Sequence, residues 1–215
     1  MSVATAQLLR LASPALPVGA YAWSGGLESA IAEGVVHDLV SAESWVTDQL
    51  ELAQARWDAP VVWRLLVRPT ERTEWNARYD ASRETRELRA ETRQIGKSLV
   101  DLLAALGHPV PPSGTSPPTF PWAWAVAAEA WSVAAEDALV AWLVATVENQ
   151  LAVLQKALPL GQVATQRLFA ATLPVIERVA GMAKTIDDAG LSSSTPGLAR
   201  LSATHEIQYS RLFRS

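Results

Sequence analysis

The chain has 215 residues, of which 49% are hydrophobic and 19% charged, with a formal net charge of −4. That is enough apolar material for a sizeable core and too much for a disordered chain, and the acidic balance argues against nucleic acid as the main partner, since phosphate binding needs a concentrated basic face. There is no cysteine, which excludes disulfides, thiolate zinc sites and cysteine nucleophiles.

The stretch Met1 to Leu11 is too short and polar for a secretory signal. No run of about 18 uninterrupted apolar residues follows anywhere, so no membrane span is expected and a soluble cytoplasmic protein is the default. "LASPALPVGAYAWSGGLES", Leu11 to Ser29, carries prolines, glycines, Tyr21, Trp23 and the lone carboxylate Glu28. By composition it is a linker with stray aromatics.

Between Ser44 and Trp57 the residues Val46, Leu50, Ala53 and Trp57 follow helical spacing. Asp58 followed by Pro60 reads as a new helix start, with Asp as cap and Pro in the first turn; Val61, Val62, Leu65 and Leu66 form its apolar face and Pro69 ends it. From about Thr73 to Leu106 the pattern is helical again, with Leu88, Thr92, Ile95, Leu99, Leu102 and Leu106 as its stripe and Gly107 as its stop. Within it, "SRETRELRAETR" packs seven charges into twelve residues. It reads as a solvated face with an Arg83–Glu87 pair, or as a protein-docking face.

Residues 107–121 hold six of the 13 prolines and form a connecting loop. From Trp122 to Ala157 a long helix is expected, with Leu139, Leu143, Val147, Leu151 and Leu154 on one face; Pro159 and Gly161 break it. The next helix, Gln162 to Ala183, has Leu168, Phe169, Thr172, Leu173, Ile176 and Val179 on more than one face, which suggests burial on several sides, and Pro174 is placed to kink or split it. "DDAGLSSSTPG" is a second loop. The tail "THEIQYSRLFRS" mixes Tyr209, Leu212 and Phe213 with Arg211 and Arg214, which suits an interface hot spot or a segment docked on its own core. The whole reads as an all-α, single-domain helical bundle, residues 1–215, of roughly seven to ten helices.

Chemistry is sparse. "GKS" at Gly96 to Ser98 lacks the glycine five residues upstream that a phosphate loop needs; Glu91 stands there, in an amphipathic helix. Gly96 is instead expected at a close helix–helix contact. His37, His108 and His205 are too far apart in sequence for a local metal pair. No Ser/His/Asp pattern occurs. The residues alone give a soluble helical domain with no visible catalytic centre, an interaction protein more readily than an enzyme; a stand-alone helical small-molecule binder is the alternative.

Four elements, in order, resemble the urease accessory protein UreF family. "ASPALPVG", an aromatic–Ser turn and "GLE" are similar to its opening signature, "SRETRELR" to its charged central helix, "KALPLGQ" (Lys156 to Gln162) to its K-x-x-P-[LF]-G-Q element, and "STPGLARLSATHEIQYSRLFRS" to its C-terminal tail. Gly25 stands where the family often has Glu, Gln or His, so that side chain's role is absent. The resemblance implies an all-α, non-catalytic scaffold in urease maturation, often a homodimer. It would bind a UreD/UreH-type accessory protein, recruit a UreG-type GTPase, and serve Ni²⁺ delivery to the urease apoprotein, with an internal water-filled passage. Nickel would be handled indirectly, with no cofactor held tightly and no metal ligands of its own; neither nucleic acid nor membrane is implied. Residue by residue, Glu28 corresponds to the family's gating or passage-lining carboxylate. Tyr21, with Trp23 and Ser24 of the same turn, corresponds to a partner-binding surface, Lys156 to the GTPase-facing side, and Arg211 to docking of the UreD-type partner. His205, Glu206 and Tyr209 belong to the same tail motif, about 198–215.

Overall fold

The computed structural model describes residues 3–215, so the first two residues of the expected domain lie outside the described residues. Ten α-helices run in chain order: α1 Val3–Leu11, α2 Leu27–Ala32, α3 Leu39–Asp48, α4 Ala59–Val67, α5 Arg72–Ala81, α6 Arg86–Ala105, α7 Phe120–Ala130, α8 Ala135–Ala157, α9 Gln162–Thr185 and α10 Pro196–His205. No strand occurs among the described residues. The all-α expectation holds.

The centre of the molecule is α4 with α7. In α4, Val61, Val62 and Leu65 are completely buried, and the helix packs on α5, α7, α8 and α9. In α7, every residue from Pro121 to Ala128 is buried. Its alanines let neighbouring backbones close in, while Trp122 and Trp124 fill the wider gaps. Phe120, Trp124 and Trp142 form an aromatic cluster, with Phe120 and Trp142 ring centres 4.8 Å apart. α8 is long and apolar enough to cross a bilayer by composition, but more than half of it is buried within the fold.

Several local expectations hold. Gly107, at φ 78°, ends α6, its N–H bonding Ala104 O while that of His108 bonds Leu103 O; the left-handed conformation is what Gly permits there. Residues 107–119 form the expected loop, fastened by Asn76, whose amide donates to the carbonyls of Ser113 and Pro117 and whose Oδ1 accepts from the Thr119 N–H.

Others are corrected. Asp58 does not start a helix: the chain is helical from Leu39 to Val67, and residues Gln49–Asp58 adopt the wider π form. Asp58 makes no cap bond and instead takes a hydrogen bond from Gln54. Pro60 offers no N–H to the Arg56 carbonyl four residues before it, and that carbonyl instead accepts from the Ser192 N–H at 3.1 Å, so the helix continues through a residue that normally stops it. The expected helix Thr73–Leu106 is two, split at Ser82–Thr85, where the Thr85 hydroxyl caps α6 through the Leu88 N–H at 3.1 Å. The expected Trp122–Ala157 helix is also two, separated by Ser132 at φ 54°. In α9 the buried side chains are one stripe, among them Leu168, Thr172, Ile176, Val179 and Ala183, with Leu173 exposed; the helix is amphipathic and continues through Pro174, which lies on its solvent side. Gly96 is in close contact, but with the chain entering α7: an added Cβ would meet Pro118 O at 2.4 Å.

Candidate functional site

The four sequence elements singled out above meet at one end of the bundle. Gly25 and Gly26, at φ 60° and 85°, turn the chain into α2, a conformation that side chains other than glycine rarely take. The turn buries Glu28 in the first turn of α2. Gly26 also lets α10 close in, with Leu198 Cδ1 at 3.1 Å from where a Cβ would be.

α10 brings His205, fully buried, between two carboxylates: its Nδ1 is 2.8 Å from Glu87 Oε2 and its Nε2 is 3.1 Å from Glu28 Oε2. Each ring nitrogen thus faces one carboxylate oxygen. Glu87 is shared with Arg211, whose Nη1 donates to Oε1 at 2.8 Å. Arg211 also donates to the carbonyls of Glu206 and Gln208, bracing the turn between them. Glu206 accepts from the N–H groups of Arg86 and Glu87, a carboxylate placed at the positive end of α6.

Past this turn the tail lies along the opening segment. Glu28 accepts the N–H of Leu212 at 2.6 Å and of Phe213 at 2.9 Å. The Arg214 N–H bonds Ala22 O, and the Ser24 N–H bonds Ser215 O. The Ser24 hydroxyl also donates to that carbonyl, and the Gly25 N–H reaches Ser215 Oγ at 3.2 Å. Apart from the Ser215 hydroxyl, these contacts are to the tail's main chain, so they fix its path and leave its other side chains free to face elsewhere. Phe213 turns inward, 6% exposed, beneath Lys156 Nζ at 5.4 Å. Ile207 and Leu212 are 85% and 71% exposed, and Tyr209 is fully exposed.

Of the residues singled out in the sequence, Ser24, Glu28, Lys156, His205, Glu206 and Arg211 are thus brought together. Trp23 is buried beside them, its carbonyl held by Asn149 and its ring 5.9 Å from the Arg214 guanidinium. Tyr209 points to solvent. Tyr21 lies apart, on the wall of an internal cavity, where burial and then the charge of Glu148 push its hydroxyl up to about 12. Glu28 is not on that wall. The charged stretch on α6 is neither wholly solvated nor paired as expected: Arg83 reaches Asp58 at 3.1 Å, while Glu87 turns to His205 and Arg211. Glu87, which holds both, was expected only as the partner of Arg83 and not as a site residue. Its signal was position, since Glu87, Glu91 and Ile95 follow at four-residue steps on the flank of the apolar stripe. Among the described residues no group of three or more His, Asp or Glu side chains is placed to hold a metal ion.

Fold and site together define a helical scaffold that spends its buried charges on holding a segment of its own chain, with large apolar side chains left facing outward. The chain belongs to the UreF family of urease accessory proteins. The UreF family profile matches residues 36–173. The chain is 46% identical over 220 residues to the urease accessory protein UreF of Nitrosococcus oceani, covering 97% of each. It is 48% identical over 218 residues to that of Pseudomonas aeruginosa, covering 96% of this chain and 97% of the relative. With the same protein of an Azoarcus species it shares 47% over 221 residues, covering 97% of this chain and 94% of the relative.

Proposed function

We propose that this chain is a non-catalytic, cytoplasmic scaffold of urease maturation whose clamped tail is the docking element for a UreD/UreH-type accessory protein. The observation that carries this reading is the contrast within the tail: its backbone is gripped by Glu28, Ser24 and Ala22, while Ile207, Tyr209 and Leu212 stay exposed within six residues. Apolar and aromatic side chains held in a fixed geometry bind a partner without the ordering entropy of a free tail. With that partner bound, the scaffold recruits a UreG-type GTPase, and the assembly, built on a homodimer, delivers Ni²⁺ to the urease apoprotein. Lys156 and Phe213 link the K-x-x-P-L-G-Q element to the tail, so an event at one is felt at the other.

The test is co-expression with a UreD/UreH-type partner and affinity capture, comparing the native chain with the triple variant Ile207→Ser, Tyr209→Ala, Leu212→Ser. All three side chains are exposed, so the variant should keep its helical content and melting temperature but lose the partner, and with it urease activation. Undiminished capture of the partner by the variant rules the tail out as the docking element.

A further inference from the structure

The internal cavity encloses about 170 Å³, room for about six waters at ~30 Å³ each. Its mouth lies beside the exposed residues Glu84 and Ser192, and its inner walls include Phe120, Trp124 and Trp142. Three carboxylates line it: Asp58 from the π segment, Glu84 from the turn before α6, and Glu91 from α6. They are not equivalent. Asp58 is already neutralised by Arg83, which is its ion-pair partner at 3.1 Å and is stacked on the Tyr79 ring at 4.2 Å. Glu91 has no such partner; it meets the Ser215 hydroxyl at 3.3 Å. A further acceptor, Asn149 Oδ1, belongs to a lining residue and is buried with no hydrogen-bond partner.

We propose that this cavity is a binding site for a compact organic monocation, an alkylammonium or amidinium, with its charged head at Glu91 and its carbon body against Phe120, Trp124 and Trp142. Aromatic faces carry negative charge density and attract cations in desolvated surroundings. A cavity lined by carboxylates, of which Glu91 has no ion-pair partner, and by aromatic side chains therefore selects a positive, hydrogen-bond-donating, partly apolar ligand over an anion. The aromatic share of the lining suits an organic cation, and among the described residues no group of three or more His, Asp or Glu side chains is placed to hold a metal ion. Burial supports the assignment by pushing Glu91 up to about 7, against the smaller opposing effects of the Ser215 hydrogen bond and the Arg83 charge. The charged and titratable groups that face it are Asp58, Tyr79, Arg83, Glu84 and Glu87. The cavity abuts the clamped tail through Ser215, which bonds Glu91, while the side chains assigned to docking face outward; the inference goes beyond that docking role.

The probe is benzylammonium, with benzyl alcohol as its neutral counterpart and benzoate as its anionic one. Binding to the full chain is measured at pH 8, where Glu91 is mostly ionised, by ligand-observed magnetic resonance and calorimetry. Benzylammonium should bind with Kd at or below about 1 mM, at least tenfold tighter than benzyl alcohol, and benzoate should not compete. Glu91→Gln, checked for native helicity, should lose at least tenfold for benzylammonium and leave benzyl alcohol unchanged. The three ligands on the native chain test the proposal without relying on the variant's folding. Equal binding of alcohol and ammonium, no binding of the ammonium, or full binding by Glu91→Gln each overturns it.

Discussion

Replacing Glu28 by Ala should free the tail without unfolding the bundle. The carboxylate accepts two tail N–H groups, at 2.6 and 2.9 Å, and faces His205 Nε2 at 3.1 Å. A hydrogen bond to a charged group contributes about 1.5–3 kcal/mol, and a buried donor left without an acceptor costs about 1–3 kcal/mol. Leu212 is exposed and its N–H can turn to water, whereas Phe213 is buried and its N–H cannot. The seated tail should therefore lose about 3–5 kcal/mol, which is comparable to breaking a buried ion pair from one side. Since ~1.4 kcal/mol is a factor of ten, amide exchange protection at Phe213 should fall by about two to three orders of magnitude. Amides in the first half of α8, before Asn149, Gln150 and Lys156 come beside the opening segment and the tail, should keep theirs, because opening of this kind is local. The measurement is native-state hydrogen exchange followed residue by residue. Protection at Leu212 and Phe213 that is unchanged would refute the reasoning. So would an equal loss in the first half of α8, which would make Glu28 part of the global core and not a tail clamp.

Two further outcomes follow from particular contacts. Gly96→Ala drives a methyl group into the carbonyl of Pro118, 2.4 Å from the ideal Cβ position; backbone cannot yield as a side chain does, so a loss of about 1–3 kcal/mol should appear as a lower midpoint in urea unfolding. Glu91 is raised in the folded protein from 4.5 to about 7 by burial, so the folded state holds the proton more tightly than the unfolded chain does. Its contribution is therefore most favourable below pH 4.5 and is lost as pH rises toward 7, by at most about 3 kcal/mol, less in so far as its side chain keeps some exposure. Urea midpoints of the native chain, corrected for its other groups by subtraction of Glu91→Gln, should fall across that interval; a flat difference disproves the burial argument.

Much of the architecture was legible in local signals. Gly107 at a helix end, the prolines of residues 107–119 and the Pro159–Gly161 break act through their own backbone restrictions, which no distant contact needs to supply. The breaks at Ser82–Thr85 and Ser132 left weaker marks, since Thr and Ser are ordinary residues within helices and only the packing on either side decides that they turn. The π segment was hidden for the same reason: Asp58 before Pro60 has the composition of a helix start, and its carboxylate is diverted by Gln54 and Arg83. The candidate site divides along the same line. The motif residues could be singled out from the family resemblance, but their meeting could not. Glu28 and His205 are 177 positions apart, and no periodicity reports a contact of that range. Glu87 lies within the charged element "SRETRELR", but only its neighbours explain why this charge, among the others there, is buried.

The union of the opening segment with the tail also imposes an order on events during synthesis. Glu28 is made early, yet the groups that satisfy it, His205, Leu212 and Phe213, follow roughly 180 residues later, on the order of ten to forty seconds at typical elongation rates. Until then the turn at Gly25 and Gly26 holds a carboxylate with no buried partner, so α2 has little reason to settle against the bundle. The surface that displays Ile207, Tyr209 and Leu212 does not exist in a partly made chain. A partner that reads that surface would in effect be reading whether the opening segment and the tail have met.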